Sequence, residues 1–223
     1  MMRCNRHIRF RRQIAMEFFS GLAALALLPG AYVLGSIPFG LIIAQGFGHA
    51  DIRTEGSGNI GATNVRRAAG NLAGLLTLIA DALKGALPVW LAGMLYPVGR
   101  SGWSDAYIGL VALSALGGHL YPLFLRGRTG GKGVATAAGG LMAMTPAALA
   151  VSLLAFITAI CGFNRVSAAS LLTTALLPLI VWKATDSRAL VGWAFLTFVL
   201  VAWRHRANIV RLANGTEPRI WDE

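Results

Sequence analysis

Six apolar stretches, each near the length of a membrane crossing, take up most of this chain. They run from Phe18 to Ala44, from Leu72 to Pro97, from Ala106 to Phe124, over 134–163, from Val166 to Trp182 and from Ala189 to Trp203. A helix needs about 20 apolar residues to span the hydrocarbon core. Charged residues make up 13% of the 223 positions, where a soluble domain carries about 25%. In lipid every backbone polar group must be satisfied internally, which leaves helix bundles and closed barrels. Barrel strands alternate apolar and polar residues over about ten positions. Here the runs are continuous and rich in Leu, Ala and Gly, which selects helices. The expected fold is all-α, a polytopic membrane helix bundle.

The stretch 134–163 is long for one crossing and short for two, with Thr145-Pro146 at its middle. If Pro146 divides it into a pair, the bundle has seven transmembrane helices, some short or broken. The loops at 46–70, 126–133 and 163–165 and the C-terminal tail then share one side. That side holds Arg53, Arg66, Arg67, Arg126, Arg128, Lys132, Arg165, Arg204, Arg206, Arg211 and Arg219, while the other holds Arg100, Lys183 and Arg188. The excess of basic residues marks the cytoplasmic side. Residues 1–15 form a basic N-terminal extension whose five arginines oppose this orientation, and a start at Met16 would remove them. Residues 16–223 read as a single transmembrane domain. The net charge of +11 is topogenic on this reading. No basic stripe with interleaved aromatics points to nucleic acid. Cys4 and Cys161 support neither a disulfide framework nor a metal knuckle.

Two glycine-dense polar blocks interrupt the apolar pattern. In Gly56–Arg67, Ser57, Asn59, Thr63 and Asn64 alternate with glycines ahead of Arg67. Small hydrogen-bonding residues suit hydroxyls and phosphate oxygens, and an arginine forks onto phosphate. Helix capping accounts for one or two of them, not all four. In the second block four glycines (Gly127, Gly130, Gly131, Gly133) surround Lys132. Glycines allow backbone N–H groups to approach an anion, and the lysine supplies countercharge. It is not a P-loop, since Gly133 stands where a Ser or Thr would meet magnesium. A tight interhelical turn with a topogenic lysine is the plainer alternative. Asp81 and Lys84 lie three apart within a span, either satisfying each other or belonging to a site. His119 reads as a packed helix-end residue. In the tail, His205, Asn208 and Arg211 recur every three residues, with Glu217 placed to pair with an arginine. No His-x4-Asp signature, Gly-x-Ser-x-Gly elbow or metal-ligand spacing is present.

Taken together, Gly35–Gly40, Gly56–Asn64, Asp81–Gly85, Gly118–Pro122 with Gly130–Thr136, Arg204–Leu212 and Gly215–Glu217 resemble the bacterial membrane acyl-phosphate:glycerol-3-phosphate acyltransferases. The blocks come in family order and cover nearly all the chain after Met16. The departures are the N-terminal extension and a longer segment between Tyr96 and Asp105. The resemblance implies seven helices, a site on the cytoplasmic face of the bacterial inner membrane, and acyl transfer from acyl phosphate to the 1-hydroxyl of glycerol 3-phosphate, without cofactor or metal. It carries over Ser57, Lys132 and His205 as catalytic groups. Arg67, Asn208, Asn59, Thr63, Asn64, Gly130, Gly131, Gly133 and Glu217 follow as substrate-binding groups. A transporter of lysophospholipid or organophosphate is the other reading; it should show paired inverted halves, and no internal repeat is visible.

Overall fold

The computed structural model describes residues 21–49, 51–125 and 130–220. The extension 1–15, Met16, Arg126 and Arg128 therefore lie outside the described residues. Every regular element among the described residues is helical. A first helix, α1, covers 21–35 and breaks at Ser36–Pro38 before α2 (Phe39–Gly46). Then come α3 (Ala62–Leu95), α4 (Gly102–Leu120), α5 (Val134–Met144), α6 (Pro146–Phe163), α7 (Val166–Thr185), α8 (Arg188–Arg204) and α9 (Arg206–Ala213).

Pro146 does divide the thirty-residue stretch. Thr145 closes α5 and caps α6, its hydroxyl accepting from the Ala148 N–H, and Pro146 takes the first helical position, where a missing N–H costs nothing. Among the described residues five spans are long and apolar enough to cross a membrane: Gly21–Gly46, Ala62–Leu95, Gly102–Leu125, Pro146–Phe163 and Val166–Thr185. With 11 residues α5 reaches only about 16 Å. The loop expected over 46–70 is partly helical instead. Residues 62–69 form the first turns of α3, and Gly70, at φ 88°, breaks the axis before the long apolar part. A φ of that sign suits glycine.

The packing is inside out relative to a soluble protein. Leu72, Leu75, Leu83, Trp90, Leu154 and Phe195 are exposed, while Ser36, Thr77, Asp81, Lys84, His119, Thr136 and Thr197 are buried. Lipid replaces water outside, so polar residues turn inward. The short α5 leans on α3 at close range. A Cβ on Gly85 would overlap the Thr136 carbonyl, and one on Gly139 the Ala82 carbonyl. Small residues of this kind let helix backbones approach in membranes. One apolar core joins Val89, Ile108, Val111, Leu141, Leu177, Val181 and Trp193. A smaller one, with Leu41, Ala44, Ile52, Ile60, Val65 and Ala73, underlies the first polar loop.

Cross-links gather the loops at one end. Arg204 donates to the Gly130 and Gly131 carbonyls, Arg165 donates to the Glu217 carbonyl, and the Ile220 N–H donates to Asn164. The start of α5 and the end of α6 therefore lie at the same end, so the two helices run out and back.

Candidate functional site

The first loop is braced from within. The Ile52–Thr54 turn begins at Asp51, which accepts from the Arg53 N–H at 3.0 Å and from its Nε and Nη2 at 2.8 and 2.7 Å. Asn64, 3% exposed, is then fully used. Its Oδ1 accepts from the Ser57 N–H at 2.8 Å and the Ser57 hydroxyl at 3.2 Å, and its Nδ2 donates to the Ile52 and Glu55 carbonyls. A buried amide with these partners has little left for a ligand. Asn64 is thus the post that shapes the loop. Asn59 accepts from the Gly61 N–H at 2.9 Å, leaving its amide NH2 available. Gly61, not one of the polar residues, caps α3.

The second loop corrects one expectation. The Gly130 and Gly131 N–H groups do not point to a ligand. They donate to the Leu120 and His119 carbonyls at 2.9 and 3.2 Å, while the carbonyls of Gly130 and Gly131 themselves accept from Arg204. These glycines are needed for close packing: a Cβ on Gly130 would strike the His119 carbonyl, and one on Gly131 the His119 ring. Gly133 is different. It begins α5 at φ 85° and lines the cavity described below. The anion-binding N–H groups on offer are those of the first turn of α5, Val134, Ala135 and Thr136, which a helix leaves without intrahelical partners. Lys132 stands beside them with no hydrogen bond or ion pair within 4 Å among the described residues. Burial, and then Arg211, Arg67 and Arg204, lower its pKa to about 8, although Glu217 acts the other way.

The tail supplies the third wall. His205 ends α8 and is 2% exposed. Its Nδ1 lies 2.8 Å from the Val201 carbonyl. A carbonyl only accepts, so Nδ1 carries the proton and Nε2 keeps a free lone pair. Burial and the nearby Lys132 charge push the His205 pKa down to about 4, so the ring is neutral at pH 7. Glu217 accepts from Asn208 Nδ2 at 2.6 Å and from Arg211 Nε at 2.7 Å. Burial alone would raise its pKa, but Ser167, Asn208 and Arg211 hold it below the ordinary value.

These walls enclose one cavity of about 1050 Å³. Ser57, Asn59, Thr63, Asn64, Arg67, Lys132, Gly133, His205, Asn208 and Glu217 all line it; Gly130 and Gly131 do not. Below this polar mouth the lining turns apolar, with Leu75, Leu78, Leu141, Leu153, Phe156 and Leu177 from α3, α5, α6 and α7. Several further residues contribute that were not among the expected site groups. Ser167, Ser170 and Thr173 of α7 line the cavity, a hint masked by their place in an apolar run. Arg211 also lines it, and its spacing from His205 was the available signal. Asp81 and His119 reach it from beneath. Asp81 Oδ1 lies 2.9 Å from Lys84 Nζ and 3.6 Å from His119 Nδ1, and Lys84 donates to the Ile37 carbonyl freed by the break before α2. Among the described residues no group of three His, Cys, Asp or Glu side chains could hold a metal ion.

The cavity thus joins a cationic mouth to an apolar trough. The family model described as Glycerol-3-phosphate acyltransferase matches residues 25–215. The glycerol-3-phosphate acyltransferase of Syntrophotalea carbinolica is 43% identical over 86% of this chain and 95% of that protein. That of Geobacter sulfurreducens is 42% identical over 89% and 98%. Solved structures of PlsY (YgiH), an integral membrane glycerol 3-phosphate acyltransferase, superpose with TM-scores of 0.82 for its glycerol 3-phosphate form and 0.80 for its lysophosphatidic acid form. Each shares 38% identity and covers 88% of this chain and 95% of that one. With two thirds of its length and more matched by these relatives, the chain belongs to the glycerol-3-phosphate acyltransferase family.

Proposed function

We propose that the protein transfers an acyl group from acyl phosphate to the 1-hydroxyl of sn-glycerol 3-phosphate, giving lysophosphatidic acid and inorganic phosphate, as the first step of phospholipid synthesis. The observation that carries this is the convergence of Lys132, Arg67, His205 and Asn208 on one mouth above an apolar trough. Relatives named for glycerol 3-phosphate acylation support the acceptor; the acyl-phosphate donor rests on the sequence resemblance and on this chemistry. The seven-pass topology, with the mouth on the cytoplasmic side of the bacterial inner membrane, is supported by Arg53, Arg165, Arg204 and Arg211 lying at the mouth end.

Lys132 and the first turn of α5 would hold the phosphate of the donor. Arg67, Ser57, Asn208 and the His205 Nε2 would hold the acceptor, with Nε2 accepting from its 1-hydroxyl. The hydroxyl oxygen attacks the acyl carbon, the carbon–oxygen bond to phosphate breaks, and the hydroxyl proton passes to the departing phosphate. His205, neutral and weakly basic, orients the hydroxyl and does not keep its proton. An acyl phosphate is already activated, so positioning and offset charge supply the acceleration. The acyl chain lies in the trough. Purified protein given acyl phosphate and labelled glycerol 3-phosphate should form labelled lysophosphatidic acid. Folded Lys132→Ala should lose at least about a hundredfold in kcat/KM. Near-normal turnover by that variant would refute the lysine role, and no product from wild type would refute the reaction.

A further inference from the structure

The residues immediately before the two central polar groups are tied to each other. Gly130 and Gly131 precede Lys132, and Arg204 precedes His205. Arg204 Nε donates to the Gly131 carbonyl at 3.1 Å and Nη2 to the Gly130 carbonyl at 2.6 Å. The N–H groups of the same two glycines donate to the last turn of α4. All four backbone groups of the glycine pair are thereby held, two by α4 and two by one side chain. The guanidinium also sits over the Tyr121 ring, 5.8 Å from its centroid. Its partners are carbonyls, not a carboxylate, and Arg204 does not line the cavity.

We infer that Arg204 is a positioning residue that sets the spacing between Lys132 and His205, and so the register of the two substrates. A planar fork with two donors on one edge matches two adjacent acceptors, and an ammonium does not. Lysine at this position keeps the charge and loses the fork, which separates positioning from electrostatics. The inference rests on the proposed reaction, so it is tested with and without turnover.

In wild-type, R204K and R204Q protein of equal thermal stability, both substitutions should lower kcat about a hundredfold, since a displacement near 1 Å can cost that much, while either KM moves by less than about threefold. Y121L, which removes the supporting ring at an exposed position and keeps both hydrogen bonds, should lower kcat by a smaller factor. Hydrogen exchange over residues 130–133 should quicken in R204K and Y121L, whether or not turnover is seen. R204K with wild-type kcat overturns the inference, as does a raised KM at unchanged kcat, which would make Arg204 a ligand. Where the Arg204 variants do not fold, unchanged exchange and unchanged kcat in Y121L overturn it. A wild-type protein that forms no lysophosphatidic acid sinks the reaction instead, and exchange alone then decides the clamp.

Discussion

Lys132 should impose a basic limb on activity near pH 8. Its ordinary pKa of 10.5 falls to about 8 through burial and then through Arg211, Arg67 and Arg204. In the proposed reaction the ammonium form offsets substrate phosphate, so the free enzyme should be competent only while Lys132 is protonated. With a pKa of about 8 it is roughly ten-to-one charged at pH 7 and ten-to-one neutral at pH 9. Because kcat/KM reports the free enzyme, it should fall about tenfold per pH unit above that point. Bound phosphate stabilises the ammonium, so the limb in kcat should lie at higher pH. Stability runs the other way. Between about pH 8 and 10.5 the unfolded chain binds the proton and the folded chain does not, so folding is favoured increasingly as pH rises through that window.

The assay is initial-rate lysophosphatidic acid formation from pH 6.5 to 9.5, corrected for spontaneous loss of acyl phosphate, with thermal unfolding in the same detergent. Lys132→Arg is the control, since a guanidinium stays charged throughout. It should be slower everywhere and lack the limb. A flat wild-type kcat/KM up to pH 9.5, or a limb that persists in Lys132→Arg, refutes the assignment.

Three further outcomes follow from the packing. Asn64→Asp keeps the acceptor for Ser57 but removes the two donations to the Ile52 and Glu55 carbonyls and sets a charge against them; thermal unfolding should drop by several degrees, about 1–3 kcal/mol, and KM for glycerol 3-phosphate should rise as the loop that carries Ser57 is pushed off those carbonyls. Glu217→Gln weakens the seats of Asn208 and Arg211; stability should fall by about 1–3 kcal/mol, read by the same melt, with the wild-type protein losing this contribution as pH falls through the low Glu217 pKa. Gly85→Val drives a side chain into the Thr136 carbonyl, so the yield of folded protein in detergent should collapse, whereas Gly93→Ala, which meets nothing within 4 Å, should not change it.

Membrane character and the Pro146 division were legible because apolar length and proline chemistry are local properties of the chain. The polar walls were legible for a related reason: serine, asparagine and lysine among glycines are hard to explain as lipid-facing helix. What sequence could not separate is a glycine that frees an N–H for an anion from one that admits a neighbour. Gly133 and Gly131 sit two residues apart, and the first opens α5 toward the cavity while the second packs under the His119 ring. Asn64 raises the same difficulty for side chains. An amide beside a phosphate-type loop serves a ligand or the loop itself, and only its four partners show which. Ser170 and Thr173 were hidden because a hydroxyl in an apolar helix usually bonds back to its own turn.

The way the walls are tied explains how the mouth stays cationic. Joining distant loops by ion pairs would spend the charge that the substrates require. Here the ties are largely between side chains and backbone: Asn64 to Ile52 and Glu55, Arg204 to Gly130 and Gly131, Arg165 to the Glu217 carbonyl. The acidic groups of the first loop are engaged locally, Asp51 by Arg53 and Glu55 by His49. Glu217 is engaged by Arg211 and Asn208. Lys132 is left without an ion pair among the described residues, and burial first, then Arg211, Arg67 and Arg204, keep its pKa low although Glu217 opposes them. In the proposed reaction a second anion enters beside the first only if this excess of positive charge persists, because two phosphates a few ångströms apart repel strongly at low dielectric. A carboxylate introduced within reach of Lys132, as in Ala135→Glu at the cavity wall, should therefore do more than block space. It should raise the lysine pKa, move the basic limb upward and weaken donor binding, whereas Ala135→Gln of equal size should leave the limb where it is. Equal limbs in the two variants would show that the field at Lys132 is not what the reaction depends on.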